Sequence, residues 1–210
     1  MLFKDRSDAG RQLVPLLRAY KDQENTVVLG LARGGVVTAY EIAKALHLPL
    51  GVIVVRKIGA PGNEELALGA ITEKGEGIFN DHLISLLSVS QDYLKRQIEK
   101  EKQVAKARLA LYLGKKAAPN VQGKVVILVD DGIATGASMR VAIHSVRSQG
   151  AKKIVLAVPV AAPDSLKKIE KEVDETHCLQ SPSYFEAVGS FYKKFEQVSD
   201  DEIVQLLLSL

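Results

Sequence analysis

The stretch VVILVDDGIATGAS, from Val125 to Ser138, decides the fold class of this protein. It starts with five apolar residues, continues with the paired carboxylates of Asp130 and Asp131, and ends in small residues that form turns. A short apolar run bounded by turn residues is typical of a buried strand. Carboxylates cost free energy in a core and gain little at an ordinary surface turn. We therefore expect the strand to deliver the two carboxylates to a ligand.

Three more apolar runs have the same character, and segments with helical spacing separate them. They cover residues 26–32, 50–58 and 152–161. Strands that are apolar throughout and alternate with helices indicate a parallel sheet covered on both faces. We therefore predict an α/β fold with a parallel sheet flanked by helices. Its core would span about residues 26–160 of a single domain, residues 1–210.

Three further segments are not explained by this sheet. Residues 59–77 are rich in glycine and predict a long loop or a hairpin-like excursion, and loops of that length are commonly functional. Residues 90–113 predict one long helix that packs across the domain or against a second subunit. The C-terminal residues 174–210 show no clear period before Asp200. They carry five aromatic side chains that either stack on a flat ligand or pack onto the sheet: Tyr184, Phe185, Phe191, Tyr192 and Phe195.

The composition excludes several classes of protein. A net charge of +3 over 210 residues, with no dense cationic block, argues against a nucleic-acid partner. The single cysteine, Cys178, excludes an intramolecular disulfide and fits a reducing compartment. Charges in the first ten residues argue against a signal peptide, and no apolar run reaches the length of a membrane span. We expect a cytoplasmic protein with no membrane partner.

The residues that follow the predicted strands supply the candidate site, because ligands of parallel sheets bind beyond the carboxyl ends of the strands. We expect three short segments to meet there: Arg33-Gly34-Gly35, Arg56-Lys57 and Asp130-Asp131. Small residues at the start of the next helix, Ala134 to Ser138, have the ingredients of a phosphate cradle: close backbone N–H groups, hydroxyl donors and a helix N-terminus.

These groups together indicate the chemistry of the ligand. Carboxylates beside a phosphate would repel it, so Asp130 and Asp131 are better suited to sugar hydroxyls or a hydrated cation. Magnesium would join them through water or the ligand's own oxygens. Arg33, Arg56 and Lys57 suit a second anionic group. The predicted ligand is a sugar with a phosphate at one end and a strongly anionic group at the other.

The same residues carry a resemblance to a known family. VVILVDDGIATGAS resembles the signature with which type I phosphoribosyltransferases bind 5-phosphoribosyl-1-pyrophosphate (PRPP), and GLARGG resembles the pyrophosphate loop of that family, which often contains a cis peptide. The combination RGG…VVRKIGAPGNEELALGAI…DDGIATG is similar to a branch of predicted bacterial phosphoribosyltransferases of unknown acceptor. The resemblance covers roughly Thr26 to Pro159. It implies the type I phosphoribosyltransferase fold with a small hood and a mobile lid.

Roles for individual residues follow from this resemblance. Asp130 and Asp131 would hold the ribose hydroxyls and, indirectly, magnesium. The 5-phosphate would be wrapped by Ala134, Thr135, Gly136, Ala137 and Ser138. The pyrophosphate would be bound by Ala32, Arg33, Gly34 and Gly35, assisted by Arg56 and Lys57. Residues 59–77 would form the lid and residues 174–210 the hood. Glu64 and Glu65 are candidate acids or bases on the strength of their position in the lid.

The predicted activity is transfer of phosphoribosyl from PRPP to a nitrogenous acceptor, with release of pyrophosphate. A nucleobase acceptor, nucleotide salvage and a homodimer are the accompanying expectations. Several purine-salvage members have an aspartate where this chain has Ala134, which weakens a hypoxanthine or guanine assignment without excluding adenine. Two alternatives are a PRPP-binding regulator without catalysis and a sugar-phosphate hydrolase. The sequence contains no helix-turn-helix pattern or basic arm of the kind a regulator would use.

Overall fold

A computed structural model describes residues 2–210 and, for Glu65, the main chain only. Five strands form the main sheet: β1 Thr26–Leu31, β2 Leu50–Ile53, β6 Val125–Val129, β7 Lys153–Val160 and β8 Glu175–Gln180. All five are parallel, in the order β2-β1-β6-β7-β8. Strand order reverses between β1 and β6, so the crevice for a ligand is expected at their carboxyl ends. The predicted α/β fold is confirmed.

Helices cover both faces of this sheet. The helices of the described chain are α1 Arg6–Leu13, α2 Gly34–Leu46, α3 Asp81–Leu86, α4 Gln91–Leu113, α5 Ala137–Ser148, α6 Pro163–Ile169 and α7 Asp200–Leu208, and short 3-10 turns cover Val14–Tyr20 and Val188–Phe191. One core joins alternate residues of β1, β6 and β7 to α5 and α6, and a second joins the opposite face to α1 and α2. The alternation along each strand explains why both faces are apolar.

The predicted strand over residues 50–58 is in fact two strands. The chain leaves the main sheet after Ile53, and β3 (Val55–Ala60) starts a separate antiparallel sheet with β4 (Asn63–Thr72) and β5 (Gly77–Phe79). β3 and β4 form the hairpin-like excursion that was one of the two predictions for residues 59–77. Ile58, Leu68 and Ile71 bury their side chains against Leu94 of α4, which gives this ribbon a small core of its own.

The C-terminal region contains a fifth strand that the sequence did not reveal. β8 lies at the edge of the main sheet beside β7, and all six of its residues are only half-buried. An edge strand with one solvated face and polar residues at several positions lacks the continuous apolar pattern of the inner strands. The predicted long helix, in contrast, is confirmed as α4, which is 23 residues long and capped by Ser90.

Candidate functional site

The paired carboxylates and the glycine turn lie against each other at the carboxyl ends of β6 and β1. A β-carbon added to Gly34 would stand 1.9 Å from Oδ2 of Asp131, and one added to Gly35 would stand 2.8 Å from Cα of Asp130. Only glycine permits so close an approach. The peptide bond between Ala32 and Arg33 is cis, as the resemblance implied for this loop. Two of the three predicted segments therefore meet.

Burial raises the proton affinity of both carboxylates. The pKa of Asp130 is raised well above its usual range, mainly by burial and secondly by the negative charge of Asp131. Burial likewise raises the pKa of Asp131, opposed by its hydrogen bond to Arg6. The backbone N–H of Asp131 donates to Oδ1 of Asp130 over 2.9 Å. Burying such a pair costs free energy, as is common where carboxylates are held for a ligand.

Arg6 is part of this site, although sequence reasoning did not select it. Its Nε donates to Oδ2 of Asp131 over 2.6 Å, and its Nη1 donates to the main-chain oxygen of Glu196 over 2.7 Å. The guanidinium also lies 3.8 Å from the centre of the Phe195 ring. Its side chain is 12% exposed and that of Asp131 is 14% exposed. A single arginine in the first turn of an amphipathic helix gives no sequence signal of this contact.

The C-terminal segment holds the main chain of Asp131. The hydroxyl of Tyr192 donates to the main-chain oxygen of Asp131. Tyr192 packs between Phe3 and Phe195, with ring centres 5.3 Å and 5.0 Å away. Tyr192 is buried and Phe185 and Phe191 pack partly against the same cluster, which was one of the two predictions for these aromatic residues, whereas Phe195 stays 37% exposed.

The predicted phosphate cradle forms an exposed turn before α5. Gly136 has a φ of +77°, and the N–H of Ala137 donates to Oγ1 of Thr135 over 3.5 Å. The side chains of Ala134, Thr135 and Ala137 are exposed. The turn is fixed from behind, because Oγ of Ser165 donates to the carbonyl of Ala134 over 2.6 Å. A helix N-terminus with small, exposed flanking residues is suited to an anion.

The third predicted segment lies on an adjacent cationic cavity. Arg56 and Lys57 are part of β3 rather than the end of a main-sheet strand, yet they face a cavity of about 360 Å³ together with Arg33 and Ser138. Arg56 pairs with Glu101 over 2.8 Å, and Arg33 lies 3.9 Å from Asp200. Glu64 also lines this cavity, whereas the side chain of Glu65 lies outside the described part of the structure.

Helix α4 forms the rest of the wall of this cavity. Its contributing side chains are Gln97, Lys100, Glu101 and Arg108. With these, the described side chains of the lining hold five cationic groups (Arg33, Arg56, Lys57, Lys100 and Arg108) and two carboxylates (Glu64 and Glu101). The excess of three positive charges suits a multiply charged anion. Sequence reasoning missed the helix residues because nothing local distinguishes them from a solvated helix face.

Asp130 and Asp131 are suited to magnesium only when a bound ligand supplies some of the oxygens around the ion. Among residues 2–210, as far as their side chains are described, no three His, Cys, Asp or Glu residues cluster to hold a metal ion. Magnesium usually keeps several waters and binds one or two carboxylates together with substrate phosphates. Asp130 and Asp131 match that donor set, provided the ligand supplies further oxygens.

A second cavity lies beyond the carboxyl ends of β7 and β8. It measures about 370 Å³ and is lined by residues 162–164, Ser183 and Phe185. Phe185 packs against Phe191 with ring centres 5.2 Å apart, and Tyr184 beside it is 80% exposed. Helix α6, which borders this cavity through Pro163 and Asp164, also contacts the phosphate-cradle turn, because Ser165 bonds to Ala134.

A parallel α/β sheet with an acidic pair, a glycine turn and a cationic cavity at its carboxyl edge is an arrangement suited to a phosphorylated sugar. The model of the phosphoribosyl transferase domain family matches residues 8–196. The chain therefore belongs to the phosphoribosyltransferase family, which confirms the resemblance to type I members.

Individual proteins similar to this chain agree with that assignment. A protein of Mycobacterium tuberculosis strain H37Rv, whose name assigns it provisionally to the phosphoribosyl transferases, is 44% identical over 98% of this chain and 46% of its own length. The crystal structure of TT1426 from Thermus thermophilus is 40% identical, with a TM-score of 0.84, over 100% of this chain and 99% of that one. A uracil phosphoribosyltransferase of Lysinibacillus sphaericus is 32% identical over 57% of this chain and 55% of its own.

This chain spans about half the length of the mycobacterial relatives that it matches. In the described part of the chain, no helix combines the length and the apolar character needed to cross a membrane.

Proposed function

We propose that this chain transfers the 5-phosphoribosyl group of PRPP to a nitrogenous acceptor and releases pyrophosphate. One observation carries the proposal: the paired carboxylates at the end of β6 lie against the Arg33–Gly35 turn, beside a cavity with an excess of positive charge. A ligand with adjacent hydroxyls next to a diphosphate matches both halves of this arrangement.

Each half has a role in the proposed reaction. Asp130 and Asp131 accept hydrogen bonds from the ribose hydroxyls, and the backbone N–H groups of residues 134–138 hold the 5-phosphate. As the bond from C1 to pyrophosphate lengthens, negative charge grows on the leaving group, and Arg33, Arg56 and Lys57 stabilise it. One well-placed donor in such a site contributes roughly 3–4 kcal/mol.

Magnesium is the proposed cofactor. When bound, it would supply further positive charge to the phosphate oxygens, and Asp130 and Asp131 would hold it through water or the ribose hydroxyls. The donor set described above fits this indirect mode.

Glu64 and Glu65 stay candidates for the acid or base, in the ribbon proposed to act as a lid. Glu64 lines the cationic cavity, which supports a role near the leaving group. Turnover by Glu64→Gln and Glu65→Gln equal to that of the unaltered protein would dispose of both assignments.

The proposed acceptor is a nucleobase. The cavity lined by Phe185 offers a flat aromatic face, and α6 connects this cavity to the phosphate-cradle turn, which supports a planar acceptor. The uracil phosphoribosyltransferase that shares 122 aligned residues with this chain supports a nucleobase, and hence a place in nucleotide salvage. The proposed homodimer rests on the family resemblance, and sedimentation velocity tests it. The proposed cytoplasmic location rests on the composition.

Calorimetric titration of PRPP with magnesium into the unaltered protein and into Asp130→Asn/Asp131→Asn tests the proposal. Binding that requires magnesium and disappears in the double variant is the expected result. Asp22→Asn is the matched control, because Asp22 is an exposed carboxylate before β1, at the opposite end of the strands. No PRPP binding by well-folded protein would overturn the assignment of the ligand.

A panel of nucleobases with an assay of pyrophosphate release then tests the reaction. Release that depends on one base supports transfer. Release without any base would indicate a sugar-phosphate hydrolase, and tight PRPP binding without release under any condition would indicate a regulator.

A further inference from the structure

Helix α4 presents one consistent face to the cationic cavity. Gln97, Glu101 and Arg108 recur at helical spacing, and Lys100 stands beside them on the same side. Lys106, in contrast, lies on the opposite side of the helix and is exposed. The side chains that α4 contributes to the cavity therefore form one stripe along the helix.

The helix is fixed in place at both ends of this stripe. The hydroxyl of Tyr93 donates to the carbonyl of Gly59 over 3.1 Å, which ties the start of α4 to the end of β3. The hydroxyl of Tyr112 donates to Asp200 at the start of α7 over 2.5 Å. Leu94 and Ala105 are buried between these ties. The stripe is therefore held on a rigid element, which suits a binding site.

The cations of the cavity differ in whether a carboxylate neutralises them. Arg56 is paired with Glu101, which is only 9% exposed, and Arg33 has Asp200 nearby. Within the described side chains, neither Lys100 nor Arg108 makes an ion pair or a hydrogen bond. Arg108 is half-buried and faces the same cavity as Arg33 and Arg56. A charge that is partly withdrawn from water is normally paired, so the half-buried Arg108 is suited to an anion that supplies its missing partner. Lys100 is exposed and adds a solvated positive charge beside it.

We propose that Lys100 and Arg108 of α4 are binding residues for a diphosphate group, and that α4 forms the wall of the pocket opposite the Arg33–Gly35 turn. This inference rests on the proposed function and extends it to a helix that the sequence suggested was structural or dimer-forming. The planar guanidinium of Arg108 offers a two-pronged contact to adjacent phosphate oxygens, and Lys100 offers a compact charge. The diphosphate of PRPP is the leaving group of the proposed reaction. Lys100 and Arg108 therefore bind PRPP and pyrophosphate but not the acceptor.

Titration of inorganic pyrophosphate with magnesium into four variants tests this assignment. Arg108→Gln and Lys100→Gln should each weaken binding about tenfold, the usual size of one charge-assisted contact. Arg108→Lys should lie between Arg108→Gln and the unaltered protein, because it keeps the charge and loses the planar fork. Lys106→Gln removes a charge from the far side of the same helix and should bind within twofold of the unaltered protein.

Steady-state kinetics separates a binding role from a general effect on folding. The KM for PRPP should rise in Arg108→Gln, while the KM for the acceptor and the thermal midpoint stay unchanged. Pyrophosphate binding by Arg108→Gln and Lys100→Gln within twofold of the unaltered protein, with loss of binding in Arg33→Gln, would overturn the role of α4 and leave the proposed function intact. Absence of both pyrophosphate and PRPP binding in the unaltered protein would overturn the two together.

Discussion

Replacing Arg6 by methionine should destabilise the protein far more than an ordinary surface change. The substitution removes the ion pair with Asp131, in which both side chains are less than 15% exposed, and leaves a carboxylate buried without its partner. Breaking a buried pair in this way costs about 3–5 kcal/mol. Because both groups keep some contact with water, we expect the lower end, about 3 kcal/mol. At this chain length, that corresponds to a fall in Tm of about 6–12 °C.

Two matched variants test whether the unpaired buried carboxylate is what destabilises Arg6→Met. Arg11→Met lies on the same helix and also breaks an ion pair, with Glu41, but Arg11 is 54% exposed. Its expected cost is below about 1 kcal/mol. The double variant Arg6→Met/Asp131→Asn removes the unpaired charge as well, so it should be more stable than Arg6→Met alone.

Urea denaturation of the four proteins at pH 7 measures these differences. PRPP titration of the same samples, at a temperature where all are folded, measures the consequence for the site. We expect Arg6→Met to bind PRPP more weakly, because Asp131 loses the contact that orients it. A cost for Arg6→Met equal to that of Arg11→Met would refute the reasoning, since the contact would then behave as an exposed pair.

Three further predictions concern the same site. Asp130→Asn should lose PRPP binding yet raise Tm by about 2–4 °C, a gain of about 1 kcal/mol from relieving a buried like-charge pair. Because the pKa of Asp130 is higher folded than unfolded, folding takes up a proton, and this group's contribution to stability falls as pH rises above the unfolded value. Between pH 5 and pH 8, the free energy of unfolding should therefore fall less in Asp130→Asn than in the unaltered protein. An equal fall in both proteins would contradict the raised pKa of Asp130. Gly34→Ala should abolish PRPP binding in calorimetry and cost about 1–3 kcal/mol in urea denaturation, since its β-carbon would overlap Asp131; normal binding would mean that the turn moves freely. Tyr192→Phe should cost about 1–2 kcal/mol by the same measurement, because the carbonyl of Asp131 loses its hydroxyl donor; no change would show that water replaces it.

The sequence by itself determined the parts of the protein that local pattern controls. The apolar run of β6 and the two carboxylates after it identify both the strand and its functional end, because paired charges at the end of a buried strand cost free energy unless a ligand or partner compensates them. The glycines at positions 34 and 35 and the small residues before α5 indicate close backbone approach. The long helix follows from a period sustained from Ser90 to Leu113.

Tertiary structure alone decided which distant segments complete the site. Arg6 and Asp131 are 125 residues apart in the chain, and no periodicity relates them. The run over residues 50–58 is apolar without a break as far as Val55, yet it divides between two sheets because β3 finds its partner in β4 and its core against α4. β8 was missed because an edge strand is half-solvated. The face of α4 that meets the cavity is set by packing at Tyr93 and Tyr112, and packing between remote elements leaves no mark on the spacing of the charges themselves.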